Sequence, residues 1–221
     1  MVYGLSVRSE HGCDWDFEPL DGDYRKVGLL DETPDEGLNP RGRPFQAGRA
    51  VDPTNVPTKV QWNDRLSPYS IPDFSSGPFM HLSARAKACI EAFEPGVHQF
   101  LPVEFVDFDG KLIEQRWFLC VCNRLDTIDR SHVQGFLLWR GKIWTPIQDY
   151  VRDMPEEIPP GYDTSVESKL VFNRSQIGKA HLWCDKHLTS GGPFITAELA
   201  TGLKGGAFSG LRLSDSAAET V

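Results

Sequence analysis

The sequence lacks the long apolar runs and the short catalytic motifs that identify many familiar classes of protein. No stretch approaches the roughly 20 apolar residues that a membrane-spanning helix needs. The first residues lack the basic start and apolar run of a secretion signal. The phosphate-binding patterns G-x-x-x-x-G-K-[ST] and G-x-G-x-x-G are absent, as is the G-x-S-x-G turn of hydrolases. We therefore expect a cytoplasmic protein that does not bind membranes, and we predict no catalytic residues.

Basic residues are outnumbered. The chain has 23 lysines and arginines against 31 acidic residues, which gives a formal net charge of −8. Such a chain repels the phosphates of nucleic acids and the anionic headgroups of lipids. The charge predicts no binding to nucleic acid and favours a basic protein as the partner. The sequence leaves the oligomeric state open.

Cysteine is scarce and scattered, which bears on both disulfides and metals. The five cysteines form no disulfide framework, and free thiols fit a reducing compartment. His181, Cys184 and His187 follow one another at intervals of three, and Cys120 and Cys122 add two soft ligands. Neither group has a recognised zinc spacing. We predict packing roles for these side chains and no metal or other cofactor, with an uncharacterised metal-dependent enzyme as the alternative function.

What the sequence does contain predicts an α+β fold with a mixed, mainly antiparallel sheet and few helices. Sixteen prolines and twenty glycines would interrupt a helical bundle too often. One helix is expected over 83–93, with Ser83 as its N-cap, because apolar residues recur there every three or four positions. Pro95 and Gly96 should end it, and His98 and Gln99 should satisfy backbone groups where the chain turns into the sheet.

The strongest strand signal is a hairpin over 98–122 that turns at Asp109-Gly110. Residues 117–122 are apolar on both faces, which predicts a central strand covered on both sides. Pro102 places the first strand of this hairpin at an edge or a bulge. Further strands are expected over 3–7, 59–62, 169–175, 180–185 and 207–213, and a hairpin is expected over 135–147. A short helix is expected over 196–205. The tail after 213 should fray.

Two units are expected along the chain. Residues 1–58 form an irregular N-terminal extension packed on the core, and residues 59–221 form the α+β domain. The extension is polar and rich in turn residues, but it also carries aromatic residues of the kind that disordered segments rarely contain.

An acidic stretch within the extension interleaves carboxylates with aromatic rings, as a surface for a basic protein would. The predicted partner-binding residues are Asp14, Trp15, Asp16, Phe17, Asp21, Asp23 and Tyr24. The alternative is that the rings pack on the core while the acids face water. A second acidic loop, over 149–163, is a further candidate for partner contact.

A set of segments between about 59 and 213 resembles the immunity proteins of bacterial polymorphic toxin systems, a family once filed as a domain of unknown function. The resemblance rests on the order of four patterns, which are E-P-G-x-H-Q-F, N-R-x-D-x-I-D, R-S-x-I-G-x-A-H-L and a final G-L-x-G. It implies a protein without catalytic activity that binds the catalytic domain of a cognate toxin in the cytosol and blocks it. It carries over no catalytic residues.

Overall fold

The computed structural model describes residues 1–8, 17–39, 43–63, 70–77, 79–188 and 192–220. It confirms the α+β class. The described residues form these strands: β1 (Val2–Val7), β2 (Phe17–Pro19), β3 (Lys59–Trp62), β4 (Phe74–Ser75), β5 (His81–Leu82), β6 (Gln99–Val106), β7 (Leu112–Cys120), β8 (Arg124–Leu125), β9 (Phe136–Trp139), β10 (Ile143–Pro146), β11 (Val171–Asn173), β12 (Leu182–Asp185), β13 (Phe194–Thr196) and β14 (Leu211–Thr220). They also form these helices: α1 (Ala84–Phe93), α2 (Ile147–Asp153), α3 (Arg174–Ile177) and α4 (Ala197–Gly205).

Two six-stranded sheets and one separate hairpin organise these elements. The first sheet has the order β11-β14-β1-β13-β12-β8, and the second has the order β2-β3-β6-β7-β5-β4. Most neighbouring strands are antiparallel, with parallel pairs only at β11–β14, β12–β8 and β3–β6 among the described strands. Strands β9 and β10 form the separate hairpin. None of the described helices is long and apolar enough to cross a bilayer.

Three apolar cores alternate with the two sheets. The middle core contains Leu82, Ile90, Leu119, Ile195 and Leu199, so it joins both sheets with helices α1 and α4. The other two cores cover the outer faces. One packs segment 17–56 on the second sheet, and the other packs the β9–β10 hairpin on the first sheet. Alternation along each strand explains this layering, because successive side chains point to opposite faces.

Strand β7 shows the alternation most clearly. Phe118 and Cys120 belong to the outer core of the second sheet, while Leu119 and Val121 belong to the middle core. The prediction of a central strand covered on both sides is therefore confirmed. The predicted hairpin is also present, and its register places Gln99 opposite Cys120 at the open end.

Helix α1 follows from the local sequence. The Ser83 side chain accepts a hydrogen bond from the N–H of Ala86, and Ala86 and Ile90 turn their side chains into the core. Gly96 adopts a φ of 71°, which lets the chain leave the helix. Gln99 then bonds both the N–H and the C=O of Val51, each at 3.0 Å, so the predicted structural role of this corner is confirmed.

The prediction of an edge position for Pro102 needs correction. Strand β6 lies inside the second sheet, between β3 and β7. Its pairing with β3 covers only Glu104, Phe105 and Val106, and the N–H of Glu104 donates to Thr58 on that side. Pro102 lies two residues before Glu104, beyond the end of β3. Its missing N–H therefore costs no hydrogen bond to β3.

The expectation that the tail would fray is wrong. The backbone of β14 continues to Thr220 and pairs with β1 on one side and with β11 on the other. The tail has no apolar alternation of its own, so its order depends on neighbours that come from distant parts of the chain. Strand β1 lies inside the same sheet, which places residues 2–7 of the expected extension among the central strands.

Candidate functional site

Three of the four sequence patterns meet at a buried polar contact between the two sheets. We call it the Glu94 junction, formed by the side chains of Glu94, His98 and Asn123 with the N–H of Leu182. The Glu94 carboxylate accepts from His98 Nε2 at 2.8 Å, from Asn123 Nδ2 at 2.9 Å and from Leu182 N at 2.8 Å. Glu94 and His98 belong to the segment between α1 and β6, Asn123 follows β7 and Leu182 begins β12, so one carboxylate connects three segments of the chain.

The hydrogen bonds of the junction assign its protonation. His98 Nδ1 accepts from the N–H of Cys122 at 3.2 Å, so Nε2 carries the proton that is donated to Glu94. Burial on its own raises the pKa of Glu94, but hydrogen bonds from His98 and from the backbone outweigh it and the pKa is lowered. The ionised carboxylate is therefore fully occupied by partners within the protein.

Asp185 forms a second polar contact inside the first sheet. Its carboxylate accepts from the N–H and the hydroxyl of Thr127, at 2.7 and 2.9 Å, and from the N–H of His187 at 2.9 Å. The same hydroxyl accepts from Trp183 Nε1 at 3.0 Å. Burial raises the pKa of Asp185 despite these hydrogen bonds. Thr127 belongs to the N-R-x-D-x-I-D segment, so this pattern too is tied into the fold.

Arg124, from the same pattern, fastens segment 35–38 to the sheet. It donates to both carboxylate oxygens of Asp35, at 2.6 and 2.9 Å, and to the carbonyl groups of Leu38 and Ala47. Arg49 adds a further bond to Asp35 at 3.1 Å. These contacts lower the pKa of Asp35, with the hydrogen bond from Arg124 as the largest cause.

The candidate ligands His181, Cys184 and His187 each have a separate environment, whereas Cys120 and Cys122 contact each other. His181 Nδ1 lies 2.9 Å from the hydroxyl of Thr196, His187 Nδ1 lies 3.0 Å from the carbonyl of Lys142, and Cys184 is buried in the middle core. Within the described ranges, no group of three or more histidine, cysteine, aspartate or glutamate side chains is placed to hold a metal ion.

Among the four described cysteines, Cys122 is the one whose environment favours ionisation of the thiol. A hydrogen bond from Cys120 lowers the pKa of Cys122 to about 7, whereas the pKa of Cys120 is raised mainly by the same contact. Burial raises the pKa of Cys89 and of Cys184. Cys122 is half-buried, so we expect it to be the most reactive of the four described cysteines.

The predicted partner-binding stretch is described only in part. Asp14, Trp15 and Asp16 lie outside the described residues. Phe17 is 2% exposed and its ring packs edge-on against His81 and Phe105, as the alternative of core packing has it.

The remaining residues of that stretch lie closer to the surface. Tyr24 is half-buried, with its ring 6.3 Å from that of Phe79. The Asp21 carboxylate accepts from the N–H groups of Thr58 and Lys59, and Asp23 caps the short turn that begins at Tyr24. Asp21 is exposed and Asp23 half-buried, so a partner can reach both carboxylates although each also supports the backbone.

Sequence reasoning missed a different surface, at the turn of the β6–β7 hairpin. We call residues 107–113 the hairpin tip. Phe108, Leu112 and Ile113 are 47%, 53% and 46% exposed there. In the sequence they continue the apolar pattern of two strands, and such a pattern normally indicates burial. Their exposure follows from where the neighbouring strands β3 and β5 end in the structure, and the sequence does not indicate those positions.

Comparison with known proteins gives one family match. The model of a family described as an immunity protein family, Imm11, matches residues 30–218. No curated protein matches the chain. The matched range includes the Glu94 junction, the Asp185 contact and the hairpin tip.

Proposed function

Because this chain belongs to the immunity protein family Imm11, we propose that it binds and neutralises one cognate toxin in the bacterial cytosol. The observation that carries the proposal is the family match over most of the chain. An immunity protein protects by occupying its toxin, so the function requires a surface rather than a catalytic centre. The Glu94 junction supports a role without a catalytic centre, because its polar groups are already bonded within the protein.

We infer that the toxin is a nuclease. A nuclease that holds phosphates needs a basic site. A chain with a net charge of −8 is attracted to such a surface and associates with it faster at low salt. The same charge opposes binding of this chain to the nucleic acid itself.

Protection requires tight binding, because a small free fraction of toxin is enough to kill. A nanomolar Kd corresponds to about −12 kcal/mol. Charge alone does not supply this, so the contact must also bury apolar anchors. The stretch from Asp14 to Tyr24, apart from the buried Phe17, and the loop over 149–163 stay proposed contacts, together with the hairpin tip.

Co-expression tests the function. The toxin from the neighbouring gene is expressed in cells that carry this protein or an empty plasmid, and survival is counted. We expect survival only with the protein, and a stable complex by size-exclusion chromatography. A catalytically dead toxin controls for general burden. Death in both cultures together with the absence of a complex would remove the immunity proposal.

Metal analysis separates this function from the alternative of a metal-dependent enzyme. We expect the purified protein to contain no stoichiometric zinc, and Cys184→Ser to leave its metal content unchanged. One zinc per chain that is lost in Cys184→Ser would favour the enzyme instead.

A further inference from the structure

The hairpin tip extends beyond the described strands that pair with its hairpin. Strand β3 pairs with β6 only at residues 104–106, and β5 pairs with β7 only at Trp117 and Phe118. Among the described strands, none lies beside the hairpin beyond these positions. Leu112 and Ile113 are adjacent in sequence and both are exposed, so both faces of the hairpin are open to solvent here.

The tip is held in one shape by its own hydrogen bonds. The Asp107 carboxylate accepts from the N–H of Asp109 at 3.0 Å and from that of Lys111 at 2.8 Å. The backbone N–H of Asp107 also donates to the carbonyl of Lys111 at 2.9 Å. Gly110 supplies the φ of 78° that the turn requires. A surface ordered in advance loses little conformational entropy when it binds.

The chemistry of the tip combines apolar anchors with negative charge. Three large apolar side chains are exposed within six residues, whereas exposed apolar residues on most surfaces occur singly. The carboxylates of Glu104, Asp107 and Asp109 outnumber the single lysine nearby, Lys111, while Glu114 pairs with Arg116. Apolar anchors surrounded by carboxylates suit a basic partner, since the rings supply buried area and the acids supply attraction and register.

We propose that the hairpin tip inserts into the basic, phosphate-binding cleft of the toxin, with Phe108 and Ile113 as the apolar anchors. This inference rests on the proposed function and names the surface and the partner chemistry. A convex two-stranded tip fits a concave cleft, and its acids occupy positions that phosphates would otherwise take. The partner that we propose for the tip is therefore a protein with a cationic groove.

The acidic loop over 149–163 is the weaker of the two surfaces. Its Arg152 pairs with Asp149 at 3.2 Å and with Asp153 at 2.7 Å, so part of its negative charge is already neutralised. It offers one large exposed apolar residue, Val151, where the tip offers three.

Binding of purified variants to the purified toxin tests the tip. The apolar variant is Phe108→Ser with Ile113→Thr, and the charge variant is Glu104→Gln with Asp109→Asn. Asn-Gly keeps the turn preference of Asp-Gly. Asp107 and Glu114 are left unchanged, because Asp107 holds the turn and Glu114 pairs with the buried Arg116 at 3.0 Å. Leu30→Ser, at a residue 64% exposed, is the matched control.

We expect the apolar variant to raise Kd at least about 30-fold, as truncation of hot-spot residues does. The charge variant should slow association several-fold and flatten its dependence on salt. The control should bind within about twofold of the parent.

The outcomes separate the two proposals. If the parent protein does not bind the toxin, the proposed function fails and this inference fails with it. If the parent binds and the folded tip variants bind equally well, only the tip is wrong. A loss confined to Val151→Ser would identify the loop over 149–163 as the contact and would also overturn the tip.

Discussion

The Glu94 junction and the hairpin tip lie at opposite ends of the same hairpin and are built in opposite ways. At the open end, next to Gln99 and Cys120, polar groups are buried and fully bonded. At the turn, apolar groups are exposed and carboxylates surround them. One end connects the two sheets, and the other exposes large apolar side chains to solvent.

The difference teaches where to look for function in a chain of this kind. His98, Gln99 and Asn123 stand in the patterns that resemble the family, and each has a structural partner. The tip contributes to none of those patterns. In this chain the motifs therefore mark the joints of the fold, and the surface that we propose for the partner lies outside them.

The largest loss of stability should come from breaking the Glu94 junction. Glu94→Ala removes the acceptor of two buried donors, on His98 and Leu182, and of the half-buried Asn123 amide. Each unsatisfied buried group costs about 1–3 kcal/mol, so we expect a loss of about 4 kcal/mol in the free energy of unfolding. Urea unfolding followed by circular dichroism measures it.

The matched control is Glu91→Ala on the same helix, where a half-exposed carboxylate pairs with Lys87. We expect a loss below about 0.5 kcal/mol there. If Glu94→Ala does not fold, the milder Glu94→Gln replaces it, since the amide keeps one acceptor. A loss below about 1 kcal/mol for Glu94→Ala would show that the junction does not hold the sheets together.

Local signals made part of this structure predictable, and long-range contacts made the rest unpredictable. Ser83 and the Asp109-Gly110 turn act within a few residues, so helix α1 and the β6–β7 hairpin followed from the sequence. The bond from Leu182 to Glu94 spans 88 residues, and nothing near either residue indicates it. The order of the tail and the exposure of the tip depend in the same way on which strands lie beside them.

The next largest loss of stability should come from breaking the ion pair between Asp35 and Arg124, which we call the clamp. Asp35→Asn removes the negative charge from a guanidinium whose side chain is only 8% exposed. We expect a loss of about 2 kcal/mol in the free energy of unfolding at pH 7, below the cost of breaking a fully buried pair. Thermal unfolding at matched pH checks it, with Asp52→Asn, at an exposed carboxylate, as the control.

The pH dependence gives the clamp a second signature. The pKa of Asp35 in the folded protein lies below its ordinary value of 3.8. Its stabilisation is therefore complete above that value and is lost as the pH falls toward the folded-state pKa. The difference between parent and variant should shrink below about pH 4. This difference isolates Asp35 from Asp185, whose raised pKa has the opposite effect. A difference that does not change with pH would exclude the clamp as the cause.

A smaller effect is expected on the rate at which Cys122 is alkylated, which depends on how often the Glu94 junction opens. Cys122 has a lowered pKa and its N–H bonds to His98, which Glu94 orients. At pH 7 we expect iodoacetamide to modify Cys122 several-fold faster than Cys89, whose pKa is raised. Glu94→Gln should increase the rate at Cys122 further, whereas the tip variants should not. Peptide mapping by mass spectrometry distinguishes the two sites, and faster modification of Cys89 would contradict the assignment.

The smallest expected effect is on the stability of the tip, and it completes the comparison. Phe108 is 47% exposed, so Phe108→Ser should change the free energy of unfolding by less than about 0.5 kcal/mol. With Ile113→Thr added, the same tip should still lose most of its affinity for the toxin. Glu94→Gln should do the reverse, with lower stability and an unchanged Kd for the folded fraction. A tip variant that destabilises the fold by more than about 1.5 kcal/mol would place the tip among the structural elements. Separate losses, of binding at one end and of stability at the other, are what a hairpin with one functional and one structural end requires.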